Sequence, residues 1–249
     1  MHNDVRVMLP TTIQHLKTEP LVSFIITTKN EERYIEKCLK SIRNQTHQNI
    51  EIILVDSCSE DKTVEIAEKY ADAIVVKDCI TPVGRNIGTK HVRGNILAFV
   101  DADVTLKEDW LEKVLSRLDG NTVAVAGDLF PENIHKAKNV LLYFLVRLSK
   151  TLAHASNYSN IGIGATAALV LRSTYQKVKG FTNRFTTADD LDFSMRIKRH
   201  GKIVFEHRAK TTFSTRYFEK YGYLPRLVYW IKNFIDYVFR HKVVAEYRR

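Results

Sequence analysis

Asn95-Ile-Leu-Ala-Phe-Val100 runs directly into Asp101-Ala-Asp103. An uninterrupted apolar run of this length is what a strand buried on both faces needs. In extended backbone, residues two apart point the same way, so both carboxylates can face one place at the strand end. The same design occurs twice upstream. Val22-Ser-Phe-Ile-Ile-Thr-Thr28 is a buried-strand run that continues into Lys29-Asn-Glu31, and Ile50-Glu-Ile-Ile-Leu-Val-Asp56 is another that ends on a carboxylate. Ala73 to Val76 and Val123 to Ala126 read as shorter strands.

Helical spacing fills the gaps. Tyr34 to Ile42 carries Ile35, Leu39 and Ile42 on one face, Lys62 to Tyr70 opens on acidic and hydroxyl residues suited to a cap, and Val83 to Val92 and Trp110 to Leu118 continue the alternation. Strands alternating with helices imply the α/β class, with a largely parallel sheet covered on both faces. Ligands of such sheets bind at the carboxyl ends of the strands, so a functional residue should lie just after a strand. The second half is less regular. Asn139 to Ala153 has a helical apolar stripe, Ile161 to Gly164 is a loop, Ala167 to Leu171 and Lys202 to Phe205 are short strands, and Asp190 to Arg199 is a helix. Leu224 to Val238 is an amphipathic helix.

The chain has 249 residues, 45% of them hydrophobic, enough for one α/β domain with a sizeable core. Its net charge of +10 favours anionic partners. Cys38, Cys58 and Cys79 form neither a C-x-x-C nor a zinc-spaced cluster, which suits a reduced compartment. Met1-His-Asn-Asp4 lacks the pattern of a signal peptide, and no apolar run approaches the ~20 residues that span a bilayer. The expectation is a cytoplasmic, non-integral protein.

Asp101 and Asp103 supply hard oxygen donors suited to Mg²⁺ or Mn²⁺, which often take one or two carboxylates plus substrate phosphates. The structural alternative is a solvated acidic turn. Asp56 could accept hydrogen bonds from a base or ribose, or it could cap the turn Ser57 to Asp61. Thr27, Thr28 and Glu31 follow the first strand and could hold a nucleotide or open a helix. Arg85, near a helix start, could grip phosphate or brace an Asp. Thr187-Ala-Asp-Asp-Leu-Asp192 is either an ordinary helix start or the source of a general base, since an Asp near its reference pKa of ~4 is ionised at pH 7.

Five stretches together, Ile25-Ile-Thr-Thr-Lys-Asn-Glu31, Ile53 to Thr63, Gly84-Arg-Asn-Ile-Gly88, Ala98-Phe-Val-Asp-Ala-Asp103 and Ala188-Asp-Asp-Leu-Asp192, make the chain resemble glycosyltransferase family 2 over roughly residues 20–215. The resemblance implies the GT-A fold and an inverting transfer of a sugar from a UDP- or GDP-linked donor. It implies that Thr27, Thr28, Glu31 and Asp56 contact the nucleoside, and that Arg85 braces this pocket and the diphosphate. Asp101 would approach ribose or metal, Asp103 would bind Mg²⁺ or Mn²⁺, and Asp190 would be the general base. Gly162 to Thr166 resembles the loop lining the sugar and acceptor site. Asp189 stands where the family usually has Glu, which leaves Asp189 and Asp190 open as the base. His207 lies where some members place a metal-side histidine, but Ser214-Thr-Arg216 resembles a subgroup without one.

The expected organisation is an extension over 1–19, the catalytic domain over 20–215 and a basic, aromatic helix over 216–249. That helix, with Tyr229, Trp230 and Arg226, suits an anionic membrane face, its own domain or a second subunit. The acceptor would be a glycan or lipid-linked hydroxyl, or a lipid phosphate. A nucleotidyltransferase should have a glycine-rich loop after the first strand, where Thr27 to Glu31 has no glycine. A non-catalytic nucleotide- or partner-binding module is the other alternative. No nucleic-acid recognition motif is present.

Overall fold

The computed structural model describes residues 19–133, 136–155, 167–183, 188–226, 228–229 and 232–233. The expected extension before Glu19, the Gly162 to Thr166 loop, Thr187 and the aromatic Trp230 lie outside them.

The described strands form one sheet. They are β1 (Val22–Thr28), β2 (Ile50–Asp56), β3 (Ala73–Val76), β4 (Ile96–Asp101), β5 (Val104–Leu106), β6 (Thr122–Pro131), β7 (Ala167–Leu171) and β8 (Lys202–Phe213), in the order β3-β2-β1-β4-β7-β6-β8-β5. β7 and β5 run against their neighbours, and the other strands share one direction. The mainly parallel α/β sheet expected from the alternation is therefore present. β1 has β2 on one side and β4 on the other, so the strand order reverses there and opens a crevice at the carboxyl ends. Thr27 pairs with Asp101, and Thr28 with Asp56, across that reversal.

β1 and β2 are buried nearly throughout, because helices cover both faces. Alternate residues of β1 enter opposite cores. Phe24 and Ile26 join Leu54, Val100 and Trp110 on one side, and Ile25 joins Ile53, Phe99, Phe181 and Phe193 on the other. Helix α1 (Ile35–Arg43) buries Ile35, Cys38, Leu39 and Ile42, one stripe at helical spacing. The remaining helices are α2 (Thr63–Ala67), α3 (Thr81–Gly88), α4 (Trp110–Leu115), α5 (Ala137–Ala155), α6 (Arg172–Lys177), α7 (Asp189–Ile197) and α8 (Arg216–Tyr221).

Several boundaries differ from the periodicity. α2 stops at Ala67, where Lys69 and Tyr70 donate to carbonyls three residues back and tighten the chain into a turn. β6 and β8 are far longer than Val123 to Ala126 and Lys202 to Phe205, because they pair with each other through an irregularity at Gly127–Asp128. β5, α6 and α8 are too short for a period to reveal them. The chain is helical at 223–226, 228–229 and 232–233, and the rest of the expected amphipathic helix lies outside the described residues. Its Leu224 and Val228 face solvent while Asn233 is buried. No helix among the described residues is long and apolar enough to cross a membrane.

At the opposite end of the sheet from the crevice, the buried Glu51 accepts from Ser23 Oγ (2.5 Å), Arg93 N (2.6 Å), Arg93 Nε (2.7 Å) and Gly94 N (3.1 Å), fixing the entry to β4. Burial pushes the Glu51 pKa up, but these hydrogen bonds outweigh it and hold it below the usual value. Glu51→Ala leaves the buried Ser23 hydroxyl without an acceptor, while Gly94 N keeps Ser23 Oγ at 3.0 Å, so urea denaturation at pH 7 should show a loss of about 2 kcal/mol. A depressed folded pKa gives stability above the unfolded value that is lost as pH falls. The difference between the two proteins should therefore shrink below the ordinary Glu value of 4.5.

Candidate active site

Two glycines place the central cation. A Cβ on Gly84 would come within 2.9 Å of Thr27 Cγ2, and one on Gly88 within 2.6 Å of Ile25 Cγ2. With hydrogen there instead, α3 lies directly on β1 and carries Arg85 to the ends of the strands. The Arg85 side chain is only 6% exposed. Its Nη2 donates to Asp101 Oδ1 at 2.9 Å, its Nη1 to Asp189 Oδ2 at 2.7 Å, and its guanidinium lies 5.1 Å from the centre of the Phe181 ring. One arginine thus joins the end of β4 to the start of α7.

Asp101 keeps one edge open, with 35% of its side chain exposed. Burial pushes its pKa up to about 7; Arg85 opposes this, and the charge of Asp103 adds to it. Asp103 is raised to about 6, first by burial and then by Glu31, with Arg216 opposing.

Arg216 joins the site without a sequence pattern that assigns it there. Its Nη2 donates to Glu31 Oε1 at 2.5 Å and lies 3.5 Å from Asp103 Oδ2. The guanidinium sits near the rings of Tyr34 (4.5 Å) and Tyr217 (4.8 Å). Ser214 N donates to Asp103 O, tying this segment to the acidic turn. The sequence signal was a basic residue just after a strand in Ser214-Thr-Arg216, which no local pattern connects to Glu31. Glu31 therefore faces the Asp103 side of the crevice rather than Asp56.

Asp56 is fully buried. Its Oδ1 accepts from Thr28 Oγ1 (2.8 Å) and Ser59 Oγ (2.6 Å), and its Oδ2 from Ser59 N (2.7 Å). The turn-capping alternative for Asp56 describes these contacts.

α7 starts abruptly, with Ala188 left-handed at φ 61°. This backbone is costly for a residue with a Cβ and turns Asp189 back toward Arg85. Asp190 is partly buried, and no side chain among the described residues bonds its carboxyl. Burial first, then the charge of Asp189, push the Asp190 pKa above the ordinary carboxylate range. The approach to α7 is braced from α3. Asn86 Oδ1 accepts from Tyr175 Oη (2.6 Å) and Phe181 N (2.9 Å), and Arg196 Nη1 donates to the carbonyls of Val178 (2.8 Å) and Gly180 (2.6 Å). His207 is exposed on β8.

Among the described residues no group of three or more His, Cys, Asp or Glu donors could hold a metal by itself. Asp101 and Asp103 fit the alternative, a hard cation that completes its shell with substrate phosphates. The orphaned buried Oε2 of Glu31 adds a further oxygen facing no donor.

The family model described as Glycosyl transferase family 2 matches residues 23–179. Glycosyltransferase AglE of Haloferax volcanii is 26% identical over 76% of this chain and 66% of its own length. Glycosyltransferase GlyA of Streptococcus pneumoniae is 24% identical over 91% of this chain and 30% of its own. The chain spans between about a third and two thirds of these relatives. Two solved structures share the fold. Mannosyltransferase PcManGT from Pyrobaculum calidifontis, in complex with GDP-Man and Mn²⁺, has a TM-score of 0.63 at 21% identity over 79% of this chain and 57% of that one. TarS 1–349 of S. aureus in complex with UDP-GlcNAc has a TM-score of 0.61 at 19% identity over 78% and 58%. The arrangement is the GT-A fold that the motifs imply.

Arg85→Met leaves Asp101 and Asp189 without their counter-charge, and should lose about 3–5 kcal/mol in guanidinium denaturation at pH 8. Asp101 has a raised folded pKa, so it is increasingly protonated below about 7 and then needs no cation. The loss should therefore be smaller at pH 5.5 and grow as pH rises.

Proposed function

The chain belongs to glycosyltransferase family 2, and from that membership we propose that it transfers a sugar, with inversion, from a nucleoside diphosphate sugar to an acceptor. The observation that carries this reading is the pair of hydrogen bonds that Arg85 donates to Asp101 and Asp189. It brings the acidic strand end, suited to a cation that bridges to a donor diphosphate, against the helix that offers a base.

In this reading Thr27, Thr28 and Asp56 line the nucleoside side of the crevice. Asp101 and Asp103 hold Mg²⁺ or Mn²⁺, which when bound neutralises charge growing on the leaving nucleoside diphosphate. Asp189 serves as the partner of Arg85 and keeps α7 in place. Asp190 is left to take the proton from an acceptor hydroxyl. The complexes of the two structural relatives, one with GDP-Man and one with UDP-GlcNAc, support a UDP- or GDP-linked donor. Family membership favours sugar transfer over nucleotidyl transfer.

The acceptor side is proposed to meet an anionic membrane surface. Leu141, Phe144, Leu224 and Val228 are exposed, and Lys138 lies 4.8 Å from the Tyr223 ring, next to both helices. Exposed apolar side chains beside cations suit the bilayer interface. Flotation with anionic liposomes at low salt should carry the protein upward, and its remaining at the bottom would overturn this part.

Nucleoside diphosphate release from a panel of UDP- and GDP-sugars with Mn²⁺ tests the chemistry and separates catalysis from mere binding. Asp103→Asn should lower turnover by about 10²–10³-fold. Unchanged turnover would remove Asp103 from the metal site. Asp190→Asn should lower it by about 10²–10⁴-fold while nucleotide affinity stays near wild type. Full activity there would point to an acceptor that arrives already ionised, such as a phosphate. A base works ionised and Asp190 is raised, so kcat/KM should fall with acid from a pH well above the reference Asp value of 3.8.

A further inference from the structure

The cations of the crevice are shared out unevenly. Arg85 answers Asp101 and Asp189, and Arg216 lies against both Glu31 and Asp103. Arg216 is placed with effort. Two aromatic rings flank its guanidinium, and its side chain is 24% exposed. Yet the fit is incomplete. Arg216 Nε and Glu31 Oε2 are both buried without a hydrogen-bond partner. The 3.5 Å separation from Asp103 Oδ2 is an ion pair at the long end of contact, beside the 2.5 Å bond to Glu31. Leaving a buried donor and a buried acceptor unmade costs about 1–3 kcal/mol each, so the arrangement is one that a ligand of mixed charge would complete. A cation satisfies Glu31 Oε2 and Asp103. A phosphate oxygen satisfies Arg216 Nε.

We propose that Arg216 is a positioning residue that stands in for the divalent cation between Glu31 and Asp103, gives up Asp103 when the cation arrives, and turns its guanidinium to the donor's phosphate. The proposal rests on the metal reading of Asp103. It adds Glu31 and Arg216 to the diphosphate side of the site. The physical reason is charge. Two neighbouring carboxylates in a part-buried turn repel one another unless a positive group stands between them, and a tethered guanidinium keeps them together before the metal binds. The same tether makes the arginine a competitor of the metal and, once displaced by only a few ångströms, a bidentate donor to phosphate.

The test measures two affinities on the intact chain. Mn²⁺ binding without nucleotide is followed by the loss of the free Mn²⁺ paramagnetic signal, and UDP and GDP binding in saturating Mn²⁺ by calorimetry. Arg216→Met should bind Mn²⁺ alone about tenfold more tightly, and whichever nucleoside diphosphate the wild type prefers about tenfold more weakly. Arg216→Lys keeps a charge on the tether and should stay within about threefold of wild type for Mn²⁺. Opposite signs for the two ligands are the signature, because simple damage to the site weakens both. If Arg216→Met weakens both, or leaves Mn²⁺ affinity unchanged, Arg216 does not compete with the cation and the proposal fails. If the Met variant does not fold, Arg216→Lys decides: a Mn²⁺ affinity more than threefold from wild type overturns the idea. A wild type that binds no Mn²⁺ yet turns over sugar donors removes the metal reading as well, an outcome distinct from failure of Arg216 alone.

Discussion

The site depends on one buried guanidinium. Arg85 can reach Asp101 and Asp189 only because α3 lies flush on β1, and α3 lies flush only because Gly84 and Gly88 present no Cβ to Thr27 and Ile25. The Phe181 ring closes the other side of the guanidinium and packs at 4.1 Å on Phe193 of α7, so the aromatic core and the ion pairs hold the same elements. A charge this deep is tolerated because two carboxylates answer it, and each carboxylate is tolerated because of the arginine. The strand half and the helix half of the crevice are therefore a single electrostatic unit.

Around this unit the acidic groups are kept near the edge of ionisation. Burial lifts Asp101 and Asp103, and the charge of Asp103 adds to the first shift and that of Glu31 to the second. Carboxylates in this state are poor surface groups and good cation ligands, since a metal relieves both the desolvation and the repulsion. Arg85 and Arg216 perform part of that relief within the chain. They differ in completeness: both Nη atoms of Arg85 are bonded, whereas Arg216 leaves Nε without a partner. The first is suited to permanence and the second to exchange.

Much of this was legible in the sequence. The strands at Val22, Ile50, Ala73 and Ala167 begin where the apolar runs begin, and those at Val22, Ile50 and Ala167 are apolar because they are covered on both faces. The polar residues that end β1, β2 and β4, Thr28, Asp56 and Asp101, lie together at the carboxyl ends of the strands as parallel topology demands. What was not legible was short or cooperative. β5 has three residues, too few for a period, and exists because β8 offers it an edge. The length of β6 and β8 comes from their mutual pairing rather than from either run alone.

The sequence by itself determined the alternation of elements, the identity of the carboxylates and the strand ends that present them, since those follow from side-chain periodicity and chain direction. Only the tertiary structure decided which charge meets which. Arg85 meets Asp189 from 104 residues away, and Glu31 meets Arg216 from 185. Periodicity states which face a side chain takes, whereas an ion pair forms only where packing brings two faces to within a few ångströms. That is why Glu31, which the family resemblance groups with Asp56 at a nucleoside, is found across the guanidinium of Arg216 from Asp103.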